Sequence, residues 1–232
     1  SQKVMYFSGC MTALTPSIRK STTSLLMKAG VRFEIMDRDG GICCGRPMIM
    51  AGRTAQAEEM IRKNTEIIKA SGANILLVSC PICYKVFKED YKLEGIEVVH
   101  HTEFFDRLIS SGKLTVSGSE IRYAYHDPCE LGRGCGVYEQ PRNVISSFGV
   151  LVEAGKNRKE SICCGGSLGS LTLSFEKRKA LTENALNNLT IASPDVIVTA
   201  CPLCRSTFNR YSDRPVKDIA EILDEATKGK KR

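Results

Sequence analysis

The chain has 232 residues, of which 42% are apolar, enough for a packed core in one large domain or two small ones and too many for a disordered chain. Its formal charge of +7 comes from 33 basic residues against 26 acidic ones. The basic residues are scattered except at Lys228-Gly229-Lys230-Lys231-Arg232, where no aromatic side chain is interleaved, so nucleic acid is not an expected partner. No apolar run approaches the roughly 18 residues of a membrane span, and the N-terminus lacks the charged-then-apolar pattern of a signal peptide. A start at Ser1-Gln2 without methionine fits a processed chain or a piece of a longer polypeptide. The expected compartment is the cytoplasm, where thiols stay reduced. There, 11 cysteines read as metal ligands or catalytic groups and not as structural disulfides.

In chain order, Lys3 to Phe7 reads as a strand ending in Ser8-Gly9-Cys10, followed by a helix over Thr15 to Lys28 and a strand over Val31 to Met36. The glycine-rich loop Gly40-Gly41-Ile42-Cys43-Cys44-Gly45 comes next. Ala57, Met60, Ile61, Ile67 and Ile68 then recur at helical spacing from Thr54 to Ala70. The apolar run Asn74 to Val78 reads as a buried strand that delivers Ser79-Cys80-Pro81-Ile82-Cys83 to the first turn of a helix reaching about Tyr91. Proline suits that first helical position, and the free amides there favour thiolate over thiol. A strand over Ile96 to Val99 and a helix over Glu103 to Ile109 complete the set.

Residues 111 to 120 are polar and read as a linker, after which the pattern restarts. Arg122 to Cys129 is a strand running into a cysteine, Gln140 to Phe148 a helix and Val150 to Val152 a strand. Ile162-Cys163-Cys164-Gly165-Gly166 repeats the double-cysteine loop. Phe175 to Leu189 repeats the long helix, and Asp195 to Thr199 leads into Cys201-Pro202-Leu203-Cys204. Val216 to Ala226 reads as a terminal helix. Alternating strands and helices predict α/β units with parallel sheets, whose ligand sites lie beyond the carboxyl ends of the strands, where these cysteines fall.

The repeat is also arithmetical: Cys10 and Cys129 are 119 positions apart, Cys43 and Cys163 are 120, and Cys80 and Cys201 are 121. The chain therefore reads as one duplicated unit, with domains at 1–112 and 120–232 whose sites face each other across a pseudo-twofold axis. Each copy has five cysteines in the order C, CC, CxxC. A structural zinc ion needs four ligands, commonly two CxxC pairs, and five soft sulfurs suit a multi-iron cluster better. Zinc in one site stays open. A redox dithiol of thioredoxin type would leave three cysteines in each copy unexplained.

Cys10, Cys43-Cys44-Gly45 and Cys80-x-x-Cys83, with their second copy, resemble the tandem CCG (cysteine-rich) domain family. That family includes two kinds of heterodisulfide reductase polypeptide, one of them through its C-terminal half. It also includes iron–sulfur components of glycolate oxidase, lactate utilisation and anaerobic glycerol-3-phosphate dehydrogenase. The resemblance implies two tandem Rossmann-like units. It also implies two non-cubane [4Fe-4S] clusters, one on Cys10, Cys43, Cys44, Cys80 and Cys83, the other on Cys129, Cys163, Cys164, Cys201 and Cys204. In the heterodisulfide reductase branch such clusters flank a cavity where a disulfide is cleaved.

Several positions depart from that pattern or add to it. Glu130 stands where many relatives have histidine, and Cys135 has no counterpart in the first copy; it reads as a spare thiol or a substitute ligand. His126 and Asp127, beside Cys129, are candidates to donate protons or hydrogen bonds to a nascent thiolate. Arg46 and Arg133 follow the cysteine loops and could meet an anionic substrate or balance cluster charge. The chain contains neither the C-x2-C-x2-C-x3-C-P spacing of a ferredoxin nor GxGxxG for a dinucleotide. Electrons are then expected from a ferredoxin-like or flavin-containing partner subunit or domain, with membrane association only through partners. The resemblance implies the catalytic module of a heterodisulfide-reductase-like oxidoreductase, acting on a small-molecule disulfide, or another two-electron or quinone-linked acceptor, in the cleft between the two copies. Alternatives are a non-catalytic electron relay in a hydroxy-acid or glycerol-3-phosphate dehydrogenase complex and a metal-stabilised scaffold.

Overall fold

The computed structural model describes residues 2–40 and 42–227; the basic run Lys228 to Arg232 lies outside them. The first unit runs β1 (Lys3–Phe7), α1 (Pro16–Lys28), β2 (Arg32–Ile35), α2 (Arg46–Met50), α3 (Thr54–Ala70), β3 (Ile75–Val78), α4 (Pro81–Glu89), β4 (Glu97–His100) and α5 (His101–Ser110). The second runs β5 (Arg122–His126), α6 (Gly132–Cys135), α7 (Glu139–Ser146), β6 (Val150–Val152), α8 (Phe175–Thr190), β7 (Val196–Thr199), α9 (Pro202–Phe208), β8 (Val216–Asp218) and α10 (Ile219–Ala226). Each unit forms a four-stranded sheet, in the orders β2-β1-β3-β4 and β6-β5-β7-β8. Every pairing in both sheets is parallel. These are the two Rossmann-like α/β units read from the sequence.

Parallel strands are covered on both faces, so the central ones are buried along nearly their whole length. All four residues of β3, Ile75-Leu76-Leu77-Val78, are buried. Removing side chains such as Leu76 and Leu77 from water contributes about 1.5–3 kcal/mol each. The order β2-β1-β3-β4 also reverses direction between β1 and β3, the place where open α/β sheets leave a crevice. Cys10 follows β1 and Cys80 follows β3, so the first and last cysteine segments of the unit emerge side by side.

The units join by one helix contact made twice. α1 packs on α10 and α5 packs on α7, and these pairs exchange under the repeat, since α1 matches α7 and α5 matches α10. At the first contact Ser24 Oγ and Lys28 Nζ both donate to Asp224 Oδ1 at 2.7 Å. Leu25 and Leu26 share one core with Phe105, Tyr125, Ile145, Ile219 and Leu223, so the apolar interior runs unbroken from one unit to the other.

Two local readings change. Val216 to Ala226 is not one helix: Val216–Asp218 is a fourth strand paired with β7, and the helix starts at Ile219. Asp218 stops the strand and caps the helix, accepting from Ala220 N at 2.9 Å while Glu221 reaches back to Asp218 N at 2.7 Å. The linker 111–120 is tied down as well, because Ser117 N donates to Ala226 O at 2.8 Å and Val116 bridges to Thr227.

Candidate metal centre

The ten cysteines of the two sets lie in the segments that follow β1, β2, β3, β5, β6 and β7. Cys80 and Cys201 occupy the N-cap positions of α4 and α9, each followed by proline at the first helical position. Cys83 and Cys204 lie one turn into these helices. The double-cysteine loops close on glycines with positive φ, Gly45 at 101° and Gly165 at 79°. A side chain at either position would strain the backbone, which explains why glycine follows each cysteine pair.

The ten thiols of the two sets form one series of neighbours. It runs Cys10–Cys43–Cys44–Cys83–Cys80 in the first unit and Cys201–Cys204–Cys164–Cys163–Cys129 in the second. Cys80 and Cys201 are neighbours where the two units meet. Cys135 is outside the series, half-buried on α6 and nearest the charges of Lys88 and Lys85, with its thiol pushed up to about 11 by burial.

Negative charge is distributed alike in both halves. Cys43 is lowered to about 2 because the Cys10 and Cys44 thiols and the Gly45 amide donate to its sulfur, the amide at 3.5 Å. Cys163 is lowered to about 2 by Cys129, Cys164 and the Gly165 amide. The donors move the other way, with Cys44 and Cys164 both raised to about 12. Where the units meet, Cys80 is lowered by the Cys201 and Cys83 thiols and by the first amides of α4, whereas Cys201 is raised by Cys80. In each unit the neighbouring thiols and the first amides of the loop and helix favour the thiolate form of one cysteine, Cys43 in the first and Cys163 in the second.

The scaffolding behind the sulfurs differs between units, and several of its members carry no sequence signature. Asp37, buried after β2, accepts from Ser8 N at 3.0 Å, Ser8 Oγ at 2.8 Å and Gly9 N at 2.8 Å, which fixes the loop to Cys10. Asn64 Nδ2 donates to Cys43 O and Tyr91 Oη to Cys44 O, both at 2.9 Å. In the second unit His126 is buried, with Nε2 3.1 Å from Ile162 O and Nδ1 3.3 Å from Thr199 Oγ1. Its imidazole is lowered to about 4, first by burial. Asp127 receives both arms of Arg142, at 2.7 and 2.8 Å, and the Arg158 amide at 2.7 Å. Both side chains are thus engaged in holding the second cysteine loop. Arg133 donates to Ser161 O at 2.7 Å in the same loop. Arg46 reaches across the units to Glu130 at 3.4 Å, linking the residue after Cys43-Cys44-Gly45 to the residue after Cys129.

Cys10, Cys43, Cys44, Cys80 and Cys83 line a cavity of about 270 Å³. Its other walls are Met11, Arg46, Pro47 and Ile82, with Gly166, Ser167, Leu168, Leu171 and Leu203 from the second unit. Among the described residues no group of three or more His, Cys, Asp or Glu is drawn in tightly enough to hold one metal ion. Five thiols around a void of this size fit a polynuclear iron–sulfur group, whose ligands are thiolates. The second set has the same donors in the same order, but none of them lines this cavity.

The cysteine-rich domain model named CCG matches residues 4–88 and 123–209. The chain belongs to the CCG family, in two copies. A polypeptide of dihydromethanophenazine:CoB–CoM heterodisulfide reductase from Methanosarcina acetivorans is 32% identical over 96% of the chain and 58% of the relative. EtfAB:quinone oxidoreductase from Syntrophomonas wolfei is 30% identical over 94% of the chain and 34% of the relative. A polypeptide of fumarate reductase (CoM/CoB) from Methanothermobacter marburgensis is 29% identical over 97% of the chain and 46% of the relative. The chain thus spans between a third and three-fifths of the length of these relatives. Among the described residues no helix is long and apolar enough to cross a membrane.

Proposed function

We propose that this chain is the iron–sulfur module of an oxidoreductase complex and reduces a disulfide at its first cysteine set. One [4Fe-4S] cluster is assigned to Cys10, Cys43, Cys44, Cys80 and Cys83, and a second to Cys129, Cys163, Cys164, Cys201 and Cys204. Bound clusters would supply one-electron steps and iron sites with affinity for sulfur. The overall change takes two electrons and two protons and converts one disulfide into two thiols.

The protein's own contribution is positional. Gly45 and Gly165 let the loops turn, the amides at the start of α4 favour thiolates, and the nearness of Cys80 to Cys201 joins the two sets into one electron path. The observation that carries the reading is the cavity at the first set, which is walled by five thiols on one side and by the second unit on the other. A ferredoxin-like or flavin-containing subunit or domain would deliver the electrons, in keeping with relatives that are themselves named as parts of larger reductases.

A second reading is a pure electron relay towards quinone, favoured by the unbroken series of neighbouring thiols and by the quinone oxidoreductase among the relatives. EPR during oxidation of anaerobically purified protein separates the two. A paramagnetic signal that appears only when a thiol is added supports sulfur chemistry at the first site. A spectrum indifferent to thiol supports the relay.

A further inference from the structure

Away from the ligand sets, a group of buried polar side chains gathers where the two units join. His101 opens α5 and Asp218 ends β8, and both are wholly closed to solvent, with His101 Nε2 3.4 Å from Asp218 Oδ1. Asp218 Oδ1 already accepts from Ala220 N. Among the described residues, neither ring nitrogen of His101 has a hydrogen-bond partner, and neither do Asp218 Oδ2, Tyr125 Oη or Thr22 Oγ1. Tyr6 belongs to the same group, with Oη 2.8 Å from Ser79 Oγ, Thr22 beside it and the Asp218 charge within reach. Buried polar atoms without partners are costly. Imidazole and hydroxyl groups each donate and accept, so the partner that completes them is water. The repeat has diverged at this point, since His100-His101 in the first unit stands where the second has Asp218-Ile219, each pair at the junction of a fourth strand and its helix.

The group lies close behind both CxxC segments. The His101 ring is 4.4 Å from the His100 ring, whose Nε2 is 3.3 Å from the carbonyl of Ser79, the residue before Cys80. On the other side Asp218 is in register with Thr199, two residues before Cys201. A negative charge added to either set is felt here through an interior that screens it weakly. Burial holds His101 neutral and Asp218 protonated, so the resting pair is uncharged. The other groups nearby have little freedom to respond. Burial keeps the phenols of Tyr6, Tyr84 and Tyr125 protonated. Glu221 is bound by Arg205 at 2.9 Å and Arg142 by Asp127 at 2.7 Å, while His100 is held between Ser79 O and Thr102 Oγ1. His101 is the base left free.

Resting on the assignment of a cluster to each cysteine set, we propose that His101, Asp218 and the water enclosed with them form a proton-holding site that takes up one proton from solvent when an electron reaches the adjacent cysteine set. The electron comes from the ferredoxin-like or flavin-containing donor. One N–H bond forms as His101 becomes imidazolium, and the proton returns to water when the electron leaves for the acceptor. Each electron is thus matched by one proton, and the interior keeps its net charge. Two cycles match the two electrons and two protons that one disulfide takes up. His101 is a positioning residue in this scheme, because it touches no reacting atom and acts by setting the potential at which an electron is held.

The test is a redox titration of the full, metal-loaded chain without any acceptor, followed by EPR and visible absorption from about pH 6 to pH 8, where histidines change charge. The midpoint potential is expected to fall as pH rises, approaching the tenfold shift per pH unit, about 59 mV, that one proton per electron gives. His101→Gln should flatten the slope with iron content unchanged. Asp218→Asn should at least halve it, and this variant keeps the test valid if His101→Gln fails to fold, because asparagine can accept the Ala220 amide in the same way. Infrared spectra of the oxidised chain in light and heavy water should contain the carbonyl band of one enclosed carboxylic acid that disappears in Asp218→Asn. A wild-type potential independent of pH, a slope that survives in the double variant, or the lack of that band overturns the proposal. A slope that depends on His101 in a chain with no disulfide turnover upholds the proton site and removes the disulfide reading.

Discussion

The two units share strand order, cysteine order and glycine turns, yet they treat their cysteines differently. Cys10 is exposed and its set opens on a cavity; Cys129 is half-buried, and no sulfur of its set lines that cavity. The wall that makes the difference is borrowed. Gly166, Ser167, Leu168 and Leu171 of the second unit roof the first site, while the second site is backed by the buried Asp127–Arg142 pair and the His126 bond to Ile162. Duplication supplied two equal sets of cysteines, and unequal loops left one beside a cavity and the other packed against buried side chains.

The sharpest way to break this comparison is to remove one outer sulfur at a time. Cys10→Ala is expected to abolish both disulfide turnover and the thiol-dependent EPR signal. Cys129→Ala should instead lower iron by about half while leaving the thiol response at the first site, if each set holds one cluster. Equal behaviour of the two variants would make the sites functionally equivalent.

Next in size is Arg142→Met. It leaves Asp127 buried without its partner, a change of the kind that costs about 3–5 kcal/mol. The loss should fall on the second cluster first, read as a lower melting temperature and preferential loss of its EPR signal. A smaller effect is expected for Gly165→Ala, which places a side chain at positive φ and costs about 1–3 kcal/mol. Its added Cβ would also crowd Arg178 O and Leu181 at 3.2 Å, whereas at Gly45 it would meet only Met60 Sδ at 3.8 Å. Gly45→Ala should therefore melt at the higher temperature of the two.

The pH dependence follows from the histidines. All three are buried and held neutral by burial, His126 at about 4, His100 at about 3 and His101 well below its ordinary value. Folded pKa values depressed below 6.5 mean that the unfolded chain binds more protons under mild acid. Stability from these groups is present above pH 6.5 and falls as pH drops from there towards 4. Asp218, raised by burial, opposes this trend as one group against three. The melting temperature should decline between pH 7 and 5, and His126→Gln should flatten the decline. The smallest effect is expected for Cys135→Ala, with iron content unchanged; loss of about half the iron would place Cys135 among the second cluster's ligands.

What could be read from the sequence was whatever repeats or runs. The stretch ILLV before Cys80 and the apolar run before Cys201 announced buried strands, proline fixed the helix starts, and the spacing drift from 119 to 121 implied two matched sites. Strand β8 escaped because it is three residues long and runs directly into an amphipathic helix, with only Asp218 marking the change. Asp37, Asn64 and Tyr91 escaped because each holds a cysteine loop distant from it in sequence, a contact that no local spacing announces. The unequal openness of the sites depends on a tight turn over Leu168–Thr172 reaching across to the other unit, which no local pattern encodes.

The most direct test of the account is the iron, acid-labile sulfide and zinc content of the anaerobically purified chain. About eight irons, matching sulfide and no zinc are predicted from two five-thiolate sets. About four irons with one zinc would contradict it, leaving a single redox site and a second unit that serves as scaffold.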